Sequence, residues 1–196
     1  MPGLLLAYGH SWVAGGSASQ SDRCLVSVAA RLLGMASTNC GVSGSSSVQT
    51  AELVRRDGVP IGQIYLLMTG LNDARLHGQD LEALDTFAGS LRTVLDAFAS
   101  TSPTARIVLI EQPPLIDYSL HPPHNRGSTT AVHAYNERLT QVAARYPQAV
   151  VVTVSAWDAS LMLADDTVHP NDLGHAVIGD AVVRAHQAVC VTSDQG

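Results

Sequence analysis

The sequence predicts an α/β protein built on an open parallel sheet, and three observations carry that prediction. Five short apolar runs alternate with five longer stretches of helical periodicity. The runs are continuously apolar, as expected for strands covered by helices on both faces. Polar clusters follow the ends of the first three runs, where such sheets bind ligands, and a fourth precedes the last helix.

Each element follows from local features. Leu4–Tyr8 is brief, apolar and ends at Gly9, which reads as a buried strand. Cys24–Leu33 has apolar residues at helical spacing, with Asp22 as its expected cap and Gly34 as its stop. Ser37–Cys40 is a weaker strand, followed by a Gly/Ser-rich turn over Gly41–Ser47 and a helix from about Val48 to Arg56. Ile64–Met68 is the clearest strand and delivers Gly70-Leu71-Asn72-Asp73 at its end, before a long helix over Leu81–Ala99. Arg106–Ile110 is the fourth strand, closed by Pro113-Pro114. A Pro- and His-rich loop then runs to Ser128 and a helix over Thr130–Arg145. Ala149–Val154 is the fifth strand and Asn171–Ala188 the closing helix.

Bulk properties narrow the classes of function. A chain of 196 residues holds one sizeable core and is short for two, so a single domain over residues 1–196 is expected. Its 11 basic residues, all Arg, face 17 acidic ones; the net charge of -6 gives no electrostatic reason to bind nucleic acid. Cys24, Cys40 and Cys190 are an odd set and suggest free thiols, not a disulfide framework. The start of the chain lacks a basic, apolar leader, and no segment approaches the roughly 20 apolar residues that span a bilayer. No membrane partner and a cytoplasmic location are therefore expected, while oligomeric state is not written in the sequence.

The polar clusters carry the chemistry. A serine hydroxyl needs an adjacent base, usually a histidine held in one tautomer by a carboxylate. Ser11 follows a strand and Gly9-His10 and precedes a Gly/Ser-rich loop, which makes it the nucleophile candidate; an ordinary loop serine is the competing reading. Asp166 and His169, three apart before Pro170, can reach each other in one turn, with Asp165 as a weaker alternative orienter. Asn171 or Asp172 then caps the last helix. An oxyanion needs donors fixed in advance. The N–H groups of Ser11 and Gly41 and the Asn72 amide are the candidates, although an Asn-Asp pair also forms turns readily.

Taken in order, Gly9-His10-Ser11, Asn39-Cys40-Gly41-Val42-Ser43-Gly44, Gly70-Leu71-Asn72-Asp73 and Asp166-Thr167-Val168-His169-Pro170 resemble the SGNH hydrolase superfamily, also called GDSL esterases and lipases. The resemblance spans nearly the whole chain. It implies a three-layer α/β/α flavodoxin-like sandwich with a five-stranded parallel sheet, and a hydrolase that uses neither metal nor cofactor. It also implies Ser11 as nucleophile, His169 as base oriented by Asp166, and Ser11, Gly41 and Asn72 as the oxyanion hole. The substrate would be a small acyl or acetyl ester cleaved through an acyl-enzyme. Acyl transfer with the same residues, or a degenerate domain that only binds ligand, are the alternatives. The Gly-x-Ser-x-Gly elbow of α/β-hydrolases is absent.

One position departs from the pattern: His10 stands where the family usually has Asp. Neighbours in an extended turn point their side chains apart, so His10 is expected to support the turn and not to replace His169 as base. Further substrate-binding candidates are His10, Trp12 and Arg75, the last as a receiver of an anionic acyl group or phosphate. Tyr118, His124 and Arg126 belong to a long loop that reads as a substrate-facing wall. His121 and His124, without cysteine or carboxylate at ligand spacing, make a poor metal site.

Overall fold

The computed structural model describes residues 3–193, with side chains through residue 188. In chain order the elements are β1 (Leu4–Gly9), α1 (Ser11–Ala14), α2 (Leu25–Leu33), β2 (Ala36–Gly41), α3 (Ser47–Asp57), β3 (Ile64–Met68) and α4 (Leu71–His77). They continue with α5 (Leu81–Thr101), β4 (Arg106–Ile110), α6 (Thr129–Ala143), β5 (Ala149–Val152), α7 (Ala159–Met162) and α8 (Asp172–Ser193). All five strands pair in parallel in the order β2-β1-β3-β4-β5. Helices α2 and α8 pack together on one side of the sheet, and α3, α5 and α6 form the opposite layer. This is the predicted three-layer sandwich.

The chain leaves β1 toward β2 on one side and returns to β3 on the other, so a crevice opens between the carboxyl ends of β1 and β3. Every residue of β3 is buried, as is β1 after Leu4, which explains their unbroken apolar sequences. By contrast, β2 is an edge strand whose first four residues are exposed, and its hydrophobic signal is correspondingly weak.

Helix starts follow the capping chemistry except at α2 and α4, the latter opened by Gly70 with no side-chain cap. Ser46 caps α3 in a capping box with Gln49, Asp80 caps α5, and Ser128 caps α6. Asp22 is not the cap of α2: it lies in a 3₁₀ turn over Ser21–Arg23, and Cys24 opens the helix without a side-chain cap to the backbone. Three short helices, α1, α4 and α7, were not anticipated, because four to seven residues are too few to display a period.

Cys24 is buried and Cys40 half-buried, both as free thiols, while the side chain of Cys190 lies outside the described residues. Among the described residues no helix is long and apolar enough to cross a membrane.

Candidate active site

Gly9 sets the exit of β1. Its φ is +141°, and a Cβ there would lie 1.9 Å from the Met68 carbonyl oxygen, so only glycine allows this approach to β3. His10 then caps α1, with Nδ1 accepting the Trp12 N–H at 3.3 Å. Its Nε2 therefore carries the proton and donates to Gln112 Oε1 at 3.0 Å. Ser11, the first residue of α1, is left with its hydroxyl at the sheet edge.

The Ser11 hydroxyl meets His169 Nε2 at 2.9 Å, and His169 Nδ1 meets Asp166 Oδ2 at 2.6 Å. The other oxygen, Asp166 Oδ1, accepts the N–H groups of Val168 and His169, each at 2.9 Å. Burial alone would push the Asp166 carboxyl up. The N–H and ring donors of His169, with the Val168 N–H, outweigh it and hold the pKa at about 2. Asp165 is exposed and makes no bond to His169, so Asp166 is the carboxylate that meets the His169 ring.

The loop carrying this pair is pinned on several sides. Trp12 Nε1 donates to the Val168 carbonyl at 3.0 Å, and Ala164 N–H to the His169 carbonyl at 2.8 Å. Asn171 caps α8 through Gly174 N–H and donates its amide to the carbonyls of Leu161 and Leu163. Asp172 is not a cap but takes Ser19 and Arg23. From the long loop, His121 Nε2 bonds the Asp166 carbonyl at 3.1 Å.

Asn72 enters the crevice from the first turn of α4, reached through Gly70 at φ +111°. Its Nδ2 donates one hydrogen to the Ser45 carbonyl at 2.9 Å, and the second has no partner among the described residues. Next to it, buried Asp73 takes Ser47 Oγ at 2.6 Å and Ser47 N–H at 3.0 Å, tying α4 to the start of α3. Val42 N–H donates to the Gly9 carbonyl at 2.8 Å, so the loop over Val42–Ser46 is fastened at both ends.

These ties separate the two glycines of the turn. The Gly41 N–H is consumed by Asn39 Oδ1 at 2.9 Å, and the Gly41 Cα faces the Ala14 backbone, where a Cβ would be 2.5 Å from nitrogen. Gly44 instead lines the cleft together with Ser11, Gly16, Asn72, Arg75, His124, Asp166 and His169, and its N–H has no partner among the described residues.

The other candidates separate into two groups. Arg75 and His124 line the cleft. His10 and Trp12 do not: both are fully buried, and Trp12 stacks on Trp157 with ring centroids 5.2 Å apart. Tyr118 is also buried, with its hydroxyl accepting the Leu115 N–H at 2.9 Å, and it packs near Gly127 behind the cleft. Arg126 is exposed and points to a separate groove with Asp73, His77 and Asp80. The sequence reading missed Gly16, where a Cβ would stand 2.7 Å from the His169 ring. It also missed Gln112 as the partner of His10, while His175 packs fully buried with its Nε2 donating to the Gly16 carbonyl at 3.0 Å. Among the described residues no group of three His, Cys, Asp or Glu side chains is arranged to hold a metal ion.

Solved structures of low sequence identity share this fold. A lipase, Lip_vut3, from a goat rumen metagenome superposes with a TM-score of 0.75 at 15% identity, covering 93% of this chain and 96% of that one. A lipase/acylhydrolase from Enterococcus faecalis gives 0.70 at 16% identity, covering 92% and 93%. A carbohydrate esterase family 2 enzyme with a carbohydrate binding domain, from Corynascus thermopiles (Myceliophthora fergusii), gives 0.72 at 17% identity, covering 94% of this chain and 65% of that one. A search of curated protein sequences finds no match. The neighbours share the fold, and the family match sets the class as an esterase-type hydrolase. More particularly, the chain belongs to the GDSL-like lipase/acylhydrolase family, whose model matches residues 7–177.

Proposed function

We propose that this chain, acting as one domain, is a serine esterase that hydrolyses a small acyl or acetyl ester through an acyl-enzyme on Ser11. The observation that carries the reading is the continuous line of hydrogen bonds from Ser11 Oγ through His169 to Asp166, at 2.9 and 2.6 Å. Asp166 keeps the Nδ1 proton on the imidazole, so Nε2 is free to take the Ser11 proton as Oγ attacks the ester carbonyl. The Ser11 and Gly44 N–H groups and the second Asn72 amide hydrogen hold the resulting oxyanion. His169 then returns the proton to the departing alcohol, leaving the acyl-serine. Water, deprotonated by His169 in turn, releases the acid and restores Ser11.

Hydrolysis is favoured over acyl transfer because the site is wet: the side chains of Asp166 and His169 are 38% and 29% exposed, so water reaches the acyl-enzyme freely. A purely ligand-binding role leaves the aligned Ser11, His169 and Asp166 without a purpose. The test is turnover of 4-nitrophenyl acetate and butyrate by the wild type and by Ser11→Ala. Turnover that depends on Ser11 upholds the reading. A folded wild type that cleaves neither ester, or a Ser11→Ala variant that keeps full activity, contradicts it.

A further inference from the structure

Arg75 has no structural employment. It sits at 6% relative exposure on α4, three residues after Asn72, and lines the same cleft as Ser11 and His169. Its Nε is fully buried without a hydrogen-bond partner, and no side-chain bond or ion pair of its guanidinium occurs among the described residues. The nearby carboxylates are otherwise engaged. Asp166 is committed to His169 and two N–H groups, and Asp73 to Ser47. Asp166 favours the Arg75 charge only through space, and no acceptor meets the guanidinium, so its donors remain for an anion that arrives in the cleft from outside.

The stretch of chain that carries Arg75 is also fixed before any ligand binds. The Arg75 carbonyl accepts the Arg126 N–H at 2.9 Å, and Gly127 lies so close that a Cβ there would be 3.3 Å from both Arg75 Cα and Cγ. From this restrained base the guanidinium presents a planar fork suited to two oxygens of one anionic group. The chain as a whole is acidic at -6, so this local positive site is not part of a general basic surface. His124, the other titratable group lining the cleft outside the Ser11–His169–Asp166 line, is held toward its neutral form by burial and by Arg75 itself and brings no competing charge.

We propose that Arg75 is the anion-recognition residue of this cleft, and that the substrate is an ester bearing a carboxylate or phosphate that reaches Arg75 while its carbonyl lies at Ser11 Oγ. This rests on the esterase reading of the site. Recognition by Arg75 selects the substrate and leaves the chemistry to Ser11, His169 and Asp166.

The test compares kcat/KM for charged esters with neutral counterparts of similar length, using the full chain. Monomethyl succinate against methyl butyrate places a carboxylate in the acyl group. The pair 3-acetoxypropionate and propyl acetate places it in the alcohol, and 1-acetylglycerol 3-phosphate against monoacetin places a phosphate there. At least one charged ester should exceed its counterpart tenfold or more; Arg75→Gln should bring that ratio to about one or below, and Arg75→Lys should retain part of it. Neutral esters cleaved as well as or better than every charged one, or a preference untouched in folded Arg75→Gln, overturns the proposal. If the wild type cleaves no ester, the esterase reading fails separately, and binding decides this one. Succinate or inorganic phosphate should then raise the Tm of Ser11→Ala but not of Ser11→Ala/Arg75→Gln, and no rise in either refutes the anion site.

Discussion

Acidification should destabilise this protein through His10, and the size of the effect follows from its surroundings. The imidazole is fully buried, accepting one backbone hydrogen bond at Nδ1 and donating at Nε2 to Gln112, so a second proton at Nδ1 would break the cap of α1. Burial lowers its pKa from 6.5 to about 4; the Gln112 bond opposes the shift, and the charges of His169 and Arg75 add to it. Between these values the unfolded chain binds more protons than the folded one. The contribution is thus intact above pH 6.5 and is lost as the pH falls through 4. From pH 7 to pH 5 the loss is about 2 kcal/mol, within a ceiling of about 3 kcal/mol. Asp166 acts in the same direction only below the ordinary carboxylate range, since its pKa is held at about 2. His10→Gln removes the titrating group while retaining an amide that can bond Gln112. Urea unfolding of both proteins at pH 7 and 5 should show the variant losing about 2 kcal/mol less over the interval. Equal losses in the two proteins would refute the assignment of His10 as a buried neutral cap.

Three other substitutions probe the site. Asp166→Asn can keep Oδ1 on the Val168 and His169 N–H groups but turns an NH₂ toward His169 Nδ1, forcing the proton onto Nε2. Ester turnover should fall roughly 10³- to 10⁴-fold with the fold retained, as read by kcat and circular dichroism. Gly16→Ala sets a methyl against the His169 ring; displacing the base by a few tenths of an ångström or more should lower kcat about 10²-fold with little change in Tm. Asn72→Ala removes an oxyanion donor and should cost about 10²- to 10³-fold in kcat with a smaller change in KM.

The fold was legible because its signals are local. Runs such as Ile64–Met68 are apolar throughout since both faces are covered, and Ser128 and Asp80 mark helix starts within a few residues. That Ser11, Asp166 and His169 meet was legible because each lies at a turn whose residue types are distinctive. What was not legible depends on contacts distant in sequence. Gly41 and Gly44 are equivalent as sequence in one Gly/Ser turn, and only the Asn39 side chain and the tie of Val42 to Gly9 decide which N–H is free. His10 looked like a site residue because its partner Gln112 lies 102 positions away. Trp12 likewise reads as a pocket wall until Val168, 156 positions on, takes its indole N–H. Gly16 carried no signal at all, since its need for a missing side chain arises only when the His169 ring arrives from the other end of the chain.

The central claim, that Ser11 is an activated nucleophile, is tested most directly by intact mass spectrometry after treatment with a fluorophosphonate. Wild-type protein should gain a single phosphonyl adduct that maps to Ser11, with none on folded Ser11→Ala. An unlabelled, folded wild type, or an adduct that persists in Ser11→Ala, would contradict the account.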